Sequence, residues 1–240
     1  MLSSNYLQKI ITKYQTSDLN VRREYAQHVL LSYLYQQKTS GDLYFKGGTA
    51  LRLIYKSPRF SEDLDFDTTI HEKKVWESAI ESMLVAVSHE GIEPDIRESK
   101  STSGGYLVVI VLKKISDPIT IHFEISFRKD IVEGEVFSID NDFMTPYPVK
   151  SLKTVQLVDG KLQALFDRQK ARDFYDLYFL LRANLLNTIQ KKQLAEVKKL
   201  LQKTKINFHR ELSVFLPKSQ SLLVSDFKTT LIREIERSSS

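Results

Sequence analysis

The 240-residue chain contains no cysteine. That absence excludes a disulfide scaffold, a thiol nucleophile and every cysteine-based zinc or iron–sulfur site, and it fits a reducing compartment. Long apolar runs are missing too. The longest, residues 106–112, is strand-sized, well short of the ~18 residues a membrane-crossing helix needs. The opening MLSSNYLQKIITKYQ lacks an apolar core and a small-residue cleavage site, so no signal peptide is expected and a cytoplasmic location is. There is no internal repeat, and no low-complexity tract beyond residues 238–240, a tail expected to fray. What remains is an ordinary globular mixture, 42% hydrophobic and 27% charged, able to bury a sizeable core. One large domain or two small ones is the expectation.

The net charge of +5 is unevenly placed. Residues 1–150 carry 18 Lys and Arg against 21 Asp and Glu, whereas residues 151–240 carry 17 against 9. A basic second part could meet a polyanion, or its lysines could simply line a solvated face. Lys191, Lys198 and Lys205 repeat every seven residues, as do Lys192 and Lys199, and Lys203 lies among them. On one helix they would form a stripe able to contact several phosphates.

Apolar periodicity predicts a helix over 21–36, a short strand at 43–45, a helical turn over 49–55 and a strand at 63–67. A helix over 71–89 and strands at 93–98, 106–113 and 119–127 follow. Ser103-Gly104-Gly105 and Ser116-Asp117-Pro118 supply turn signals between the strands. Beyond Pro146 and Pro148 the periods are helical: 153–166, 171–184 and 191–204. The expected fold is α+β, with a mixed-sheet domain over 1–148 and an all-helical domain over 149–240.

The chemistry concentrates in residues 44–67, YFKGGTALRLIYKSPRFSEDLDFD. Gly47 and Gly48 remove Cβ obstruction before a helical segment, so main-chain N–H groups could approach a phosphate, and Thr49 adds a hydroxyl. The Gly-Lys-Ser/Thr ending of a P-loop is absent. In a strand, Asp63 and Asp65 share one face while Leu64 and Phe66 enter the core. Carboxylates at that spacing lie ~6.5–7 Å apart along the strand and can converge on hard cations such as Mg²⁺, as phosphoryl or nucleotidyl transfer requires. Asp67 reads as no more than a solvated strand end. In the strand 119–127, Glu124 is the only acid on the polar face, a candidate third metal ligand or general base. His122, on the same face, reads as a bystander. Later, Lys161, Arg168 and Arg172 would share one stripe of an unbroken helix at seven- and eleven-residue offsets, suited to a triphosphate. Asp173 and Asp176 could instead pair with Arg172 and Arg168 structurally.

Gly47-Gly48-Thr49 with Arg59-Phe60-Ser61-Glu62-Asp63-Leu64-Asp65-Phe66 resembles the signature of the AbiEii/AbiGii toxin family. So does Lys161-Leu162-Gln163-Ala164-Leu165 with Ala171-Arg172-Asp173-Phe174-Tyr175-Asp176-Leu177. The resemblance implies a polymerase-β-like nucleotidyltransferase fold with a helical C-terminal part. It also implies Mg²⁺-dependent transfer of a nucleotide from an NTP to an acceptor such as a tRNA end, and a separately encoded antitoxin. By position it carries a phosphate contact to Thr49, where many relatives have Ser. Metal ligation falls to Asp63 and Asp65, the catalytic-site lysine to Lys161 and the late acidic position to Asp173. Glu124 is not fixed by it. Two other readings keep the same fold: a non-catalytic binding protein using its basic helices, and a small-molecule nucleotidyltransferase. The intact acidic pair and lysine favour the active enzyme. A small-molecule acceptor would give the basic half nothing to do.

Overall fold

The computed structural model describes residues 3–115, 117–130 and 132–239. These form two compact units. The first comprises Met1–Lys56 and Phe60–Leu152, the second Lys153–Ser240 together with the detached segment Ser57–Arg59. The division falls after Leu152 rather than at 148, because the expected linker is itself a strand. Of the residues read as turn or tail, Ser116 and Ser240 lie outside the described residues. Ser238 belongs to the last helix instead of a frayed end.

In the first unit, α1 (Ser4–Tyr14) and α2 (Asp18–Leu34) precede β1 (Tyr44–Lys46), α3 (Gly47–Leu53), β2 (Leu64–Thr68) and α4 (Lys73–Ser88). Then come β3 (Glu93–Thr102), β4 (Gly105–Lys113), β5 (Ile119–Phe127), β6 (Gly134–Ile139) and β7 (Tyr147–Leu152). The strands make one mixed sheet in the order β3-β4-β5-β2-β1-β7-β6. β2 runs parallel to β5 and β1 parallel to β7, and the other neighbours are antiparallel. The alternation in β5 buries Ile119, Ile121, Phe123 and Ile125, the face its sequence assigns to the core. Phe123 stacks on Phe66 of β2 with centroids 4.7 Å apart, and Phe66 meets Phe45 of β1 at 5.4 Å. This aromatic ladder locks the register of three central strands, and with it the side chains on the opposite face.

α2 starts at Ser17, whose hydroxyl accepts from the Asn20 N–H, and is buried on most sides. Its charges are therefore paired within the core: Arg52 Nε lies 2.6 Å from Glu24 and its guanidinium 3.8 Å from the centre of the Phe60 ring. His28 of α2 is also buried, with Nδ1 2.7 Å from the Tyr147 hydroxyl. Burial chiefly, with help from the Lys56 and Arg52 charges, holds its pKa down to about 3. Folded protein thus keeps His28 neutral at pH values where the unfolded chain protonates it. Stability must fall as pH drops below about 6.5, at a slope approaching 1.4 kcal/mol per unit toward pH 5. Denaturant titrations at pH 7, 6 and 5 should show that slope, and His28→Gln should flatten it.

The second unit holds α5 (Thr154–Arg168), α6 (Ala171–Arg182), α7 (Thr188–Lys191), α8 (Leu194–Lys203), α9 (Phe208–Leu212), α10 (Ser221–Ser225) and α11 (Phe227–Ser239). Its core gathers Phe174, Tyr175, Phe208 and Phe227, with Phe208 and Phe227 centroids 5.0 Å apart. Phe174, Leu177 and Leu181 are buried as their spacing predicts, and Tyr178 is half-buried. Two expectations fail here. The stripe that an unbroken helix would carry over Lys161, Arg168 and Arg172 does not form: as the separate periods 153–166 and 171–184 predict, α5 ends at Arg168, Gln169 turns left-handed with φ +49°, and α6 begins at Ala171. The lysine heptads also lose phase, since Lys191 ends α7, Lys192 lies between helices and Lys205 follows α8. Lys198 is spent on Glu236 at 2.6 Å. No helix among the described residues is long and apolar enough to cross a membrane.

Candidate functional site

The face of β1, β2 and β5 opposite the aromatic ladder carries the acids. In the parallel register Asp65 is the direct neighbour of Glu124, and Asp67 of Ser126. On the other side Lys46 of β1 faces Asp65, and Tyr44 faces Asp67. Strands neighbour one another at about 4.8 Å, so the Asp65 and Glu124 carboxylates leave the sheet side by side. Glu124 is exposed and Asp65 half-buried.

Asp63, expected on the strand, lies one residue before it. Two contacts hold it there. The Thr49 hydroxyl donates to its main-chain carbonyl, and Nδ1 of His122 sits 3.2 Å from its Oδ1. His122 is therefore no bystander but a neighbour of the Asp63 carboxylate. Thr49 is fully buried, and its hydroxyl hydrogen is engaged by Asp63 rather than offered to a phosphate. Its visible task is to fix the entry into β2.

Gly47 shows why the two glycines stand where they do. Its φ is +81°, and a Cβ placed there would lie 1.9 Å from Oδ2 of Asp65. Only glycine permits both that backbone turn and the seating of the Asp65 carboxylate against it. Gly48 is buried behind it.

Asp67 departs from a solvated strand end. It is buried, and its Oδ1 accepts from Lys46 Nζ at 2.5 Å and Arg128 Nε at 2.8 Å, with Lys46 also 3.1 Å from the Ser126 hydroxyl. Its charge is thus met by protein cations, which leaves Asp63, Asp65 and Glu124 as the acids whose chemistry suits a hard cation. Among the described residues, no three such side chains are yet drawn together as a metal-binding set. The backbone brings Asp65 and Glu124 into register as direct neighbours.

In the second unit, Lys161 Nζ lies 2.6 Å from Oδ2 of Asp176. The same carboxylate takes both arms of Arg59, Nε at 2.7 Å and Nη2 at 3.0 Å. Burial opposes ionisation of Asp176, but Arg59 and Lys161 outweigh it and hold its pKa at about 2. Asp173 is also buried: Oδ2 accepts from the Lys170 N–H to cap α6, and Oδ1 takes Arg168 Nη2 at 2.6 Å. Asp173 pairs with Arg168, whereas Asp176 turns to Arg59 and Lys161. Arg168 is consequently engaged. Arg172 is half-buried, and its side chain makes no ion pair among the described residues.

Arg59, Lys46 and His122 escaped the sequence reading as site residues. Arg59 stands within the first motif block, but its partner lies 117 positions away, a separation no periodicity reveals. Lys46 directly precedes the glycine pair, and its position opposite Asp65 follows only from the β1–β2 register.

Residues 29–237 match the family described as nucleotidyl transferase AbiEii toxin, type IV TA system. Two solved structures resemble the whole chain. One is JHP933 from Helicobacter pylori, 26% identical, covering 93% of each chain with a TM-score of 0.67. The other is a candidate nucleotidyltransferase from H. pylori, also 26% identical, covering 92% of this chain and 98% of that one, with a TM-score of 0.60. Curated protein sequences gave no match. The chain belongs to the AbiEii family of nucleotidyltransferase toxins.

Proposed function

We propose that this toxin transfers a nucleotide from an NTP to an RNA acceptor with Mg²⁺ bound at Asp63, Asp65 and Glu124. The observation that carries the reading is the parallel pairing of Asp65 with Glu124, with Asp63 tied to the strand entry by Thr49. The donor set is all carboxylate oxygen, which fits a hard divalent ion. Bound Mg²⁺ would neutralise triphosphate charge and support attack at the α-phosphorus. The bare Gly47 turn is what lets the Asp65 carboxylate seat against it. His122 orients Asp63 through its Nδ1 contact. Lys161 would offset charge developing on the phosphates, a role that rests on its place in the family motif. Arg172 is the other cation we assign to the nucleotide. A type IV toxin–antitoxin system also implies an antitoxin.

The decisive experiment incubates the protein with each labelled NTP, Mg²⁺ and either total RNA or an RNA-free metabolite extract. Label is expected in RNA and to disappear with EDTA. Label confined to small molecules would refute the RNA acceptor.

The acceptor contact is narrower than a six-lysine stripe. Lys199 and Lys203 remain exposed one turn apart on α8. Lys199→Glu/Lys203→Glu should raise the acceptor KM severalfold and leave the NTP KM nearly unchanged. It should also reduce the log–log salt slope by about 0.7 for each lost phosphate contact on single-stranded RNA. Steady-state kinetics at two salt concentrations measure both.

A further inference from the structure

Asp176 meets more positive charge than it can neutralise. Arg59 and Lys161 bring two cations to one carboxylate, and the neighbouring Asp173 is already met by Arg168. The cluster therefore keeps one net positive charge inside the second unit. Side-chain exposure is 5% for Arg59, 2% for Asp176 and 12% for Lys161, so of the two cations Lys161 is the one more open to a solute. Net charge held in such surroundings is costly unless an anion answers it.

We infer that Arg59 is a positioning residue for Lys161: by taking the Asp176 charge it leaves Lys161 cationic toward the triphosphate of the incoming nucleotide. The inference rests on the nucleotidyltransferase reading above. Arginine suits the task because its planar fork grips both oxygens of Asp176 and fixes the carboxylate plane, which aims Oδ2 at Lys161 Nζ. Without Arg59, Asp176 and Lys161 would collapse into a neutral pair with little attraction for phosphate. Such a pair would be sufficient if the contact were only structural. The chain instead commits the segment Ser57–Arg59, flanked on both sides by first-unit residues, to the second unit.

The test is calorimetric binding of Mg²⁺-tripolyphosphate to the full chain, a probe that requires neither turnover nor the right base. Lys161→Met and Arg59→Met should each weaken binding about tenfold, the effect of roughly one unit charge nearby. Arg59→Met/Asp176→Asn removes one cation and the anion it neutralised, so it should bind within threefold of wild type. Rescue by a second substitution distinguishes charge positioning from mere structural damage, which would accumulate. Arg59→Lys, which keeps the charge, should lose less than Arg59→Met. If Arg59→Met fails to fold, the double variant against Lys161→Met decides alone. Unchanged binding by folded Arg59→Met, or a double variant as weak as Lys161→Met, overturns the inference. Where Lys161→Met still weakens binding in that case, the nucleotide reading stands. Unchanged binding by Lys161→Met removes both.

Discussion

Asp65→Asn should reduce nucleotide transfer by roughly a thousandfold and shift the melting temperature by no more than a few degrees. The substitution preserves side-chain shape, so the seat against Gly47 and the β2–β5 register survive. It removes one of the three carboxylates proposed to hold Mg²⁺, and an amide oxygen is a poor replacement. A metal contributes several kcal/mol to charge stabilisation in such transfers. Losing about 4 kcal/mol of it corresponds to the thousandfold figure. Two measurements separate this from a packing defect: a thermal melt, and an activity titration with Mg²⁺ that should require far more metal. Growth arrest on expression should vanish in parallel. A folded Asp65→Asn protein with normal turnover would sink the metal assignment, and persistent toxicity without turnover would point to harm through binding.

How far the sequence spoke depended on whether a feature was local and half-buried. β4 and β5 were legible to within a residue, because apolar runs and alternation leave a direct trace in composition. β6 and β7 were not. Only Ile139 of β6 is buried, so that strand has no apolar face to read. β7 contains Pro148, which argued against a strand. The ladder tolerates it because Pro148 pairs only with Ser138 of the edge strand, while contact with β1 comes later, at Ser151. α1 was missed for a similar reason. It buries only Ile10 and is fastened through Asp142, which takes Lys13 Nζ at 2.6 Å and the Tyr14 hydroxyl at 2.5 Å. The break between α5 and α6 falls at Gln169, between the helical periods 153–166 and 171–184, so the Lys161–Arg172 stripe that an unbroken helix would carry does not form. Period two alone set Asp65 and Glu124 on their strands, whereas Asp63 falls one residue before β2. What period two could not supply was the partner of each charge, because the strand register and the Arg59–Asp176 fork join residues far apart in the chain.

Gly47→Ala is the sharper test of how that face is built. It removes no charge and no carboxylate. At φ +81° an alanine carries a backbone penalty of about 1–2 kcal/mol. The larger effect is steric. The new methyl would sit 1.9 Å from Oδ2 and 2.9 Å from Cβ of Asp65, and Cβ cannot yield, since Asp65 is anchored in β2 between Lys46 and Glu124. Either the turn moves outward or the carboxylate rotates away from its seat. A displacement near 1 Å at a metal-ligating oxygen can cost about a hundredfold in rate. The expected outcome is therefore a folded protein, less stable by a few kcal/mol, whose kcat falls about a hundredfold. Added Mg²⁺ should restore it only in part. Gly48→Ala gives the comparison, because Gly48 shows no positive φ and lies deeper in the turn. Denaturant unfolding with kcat and Mg²⁺ dependence decides the matter. Gly47→Ala with wild-type kcat would mean that the Asp65 carboxylate does not act from this position, and the carboxylate site would have to be rebuilt around Asp63 and Glu124.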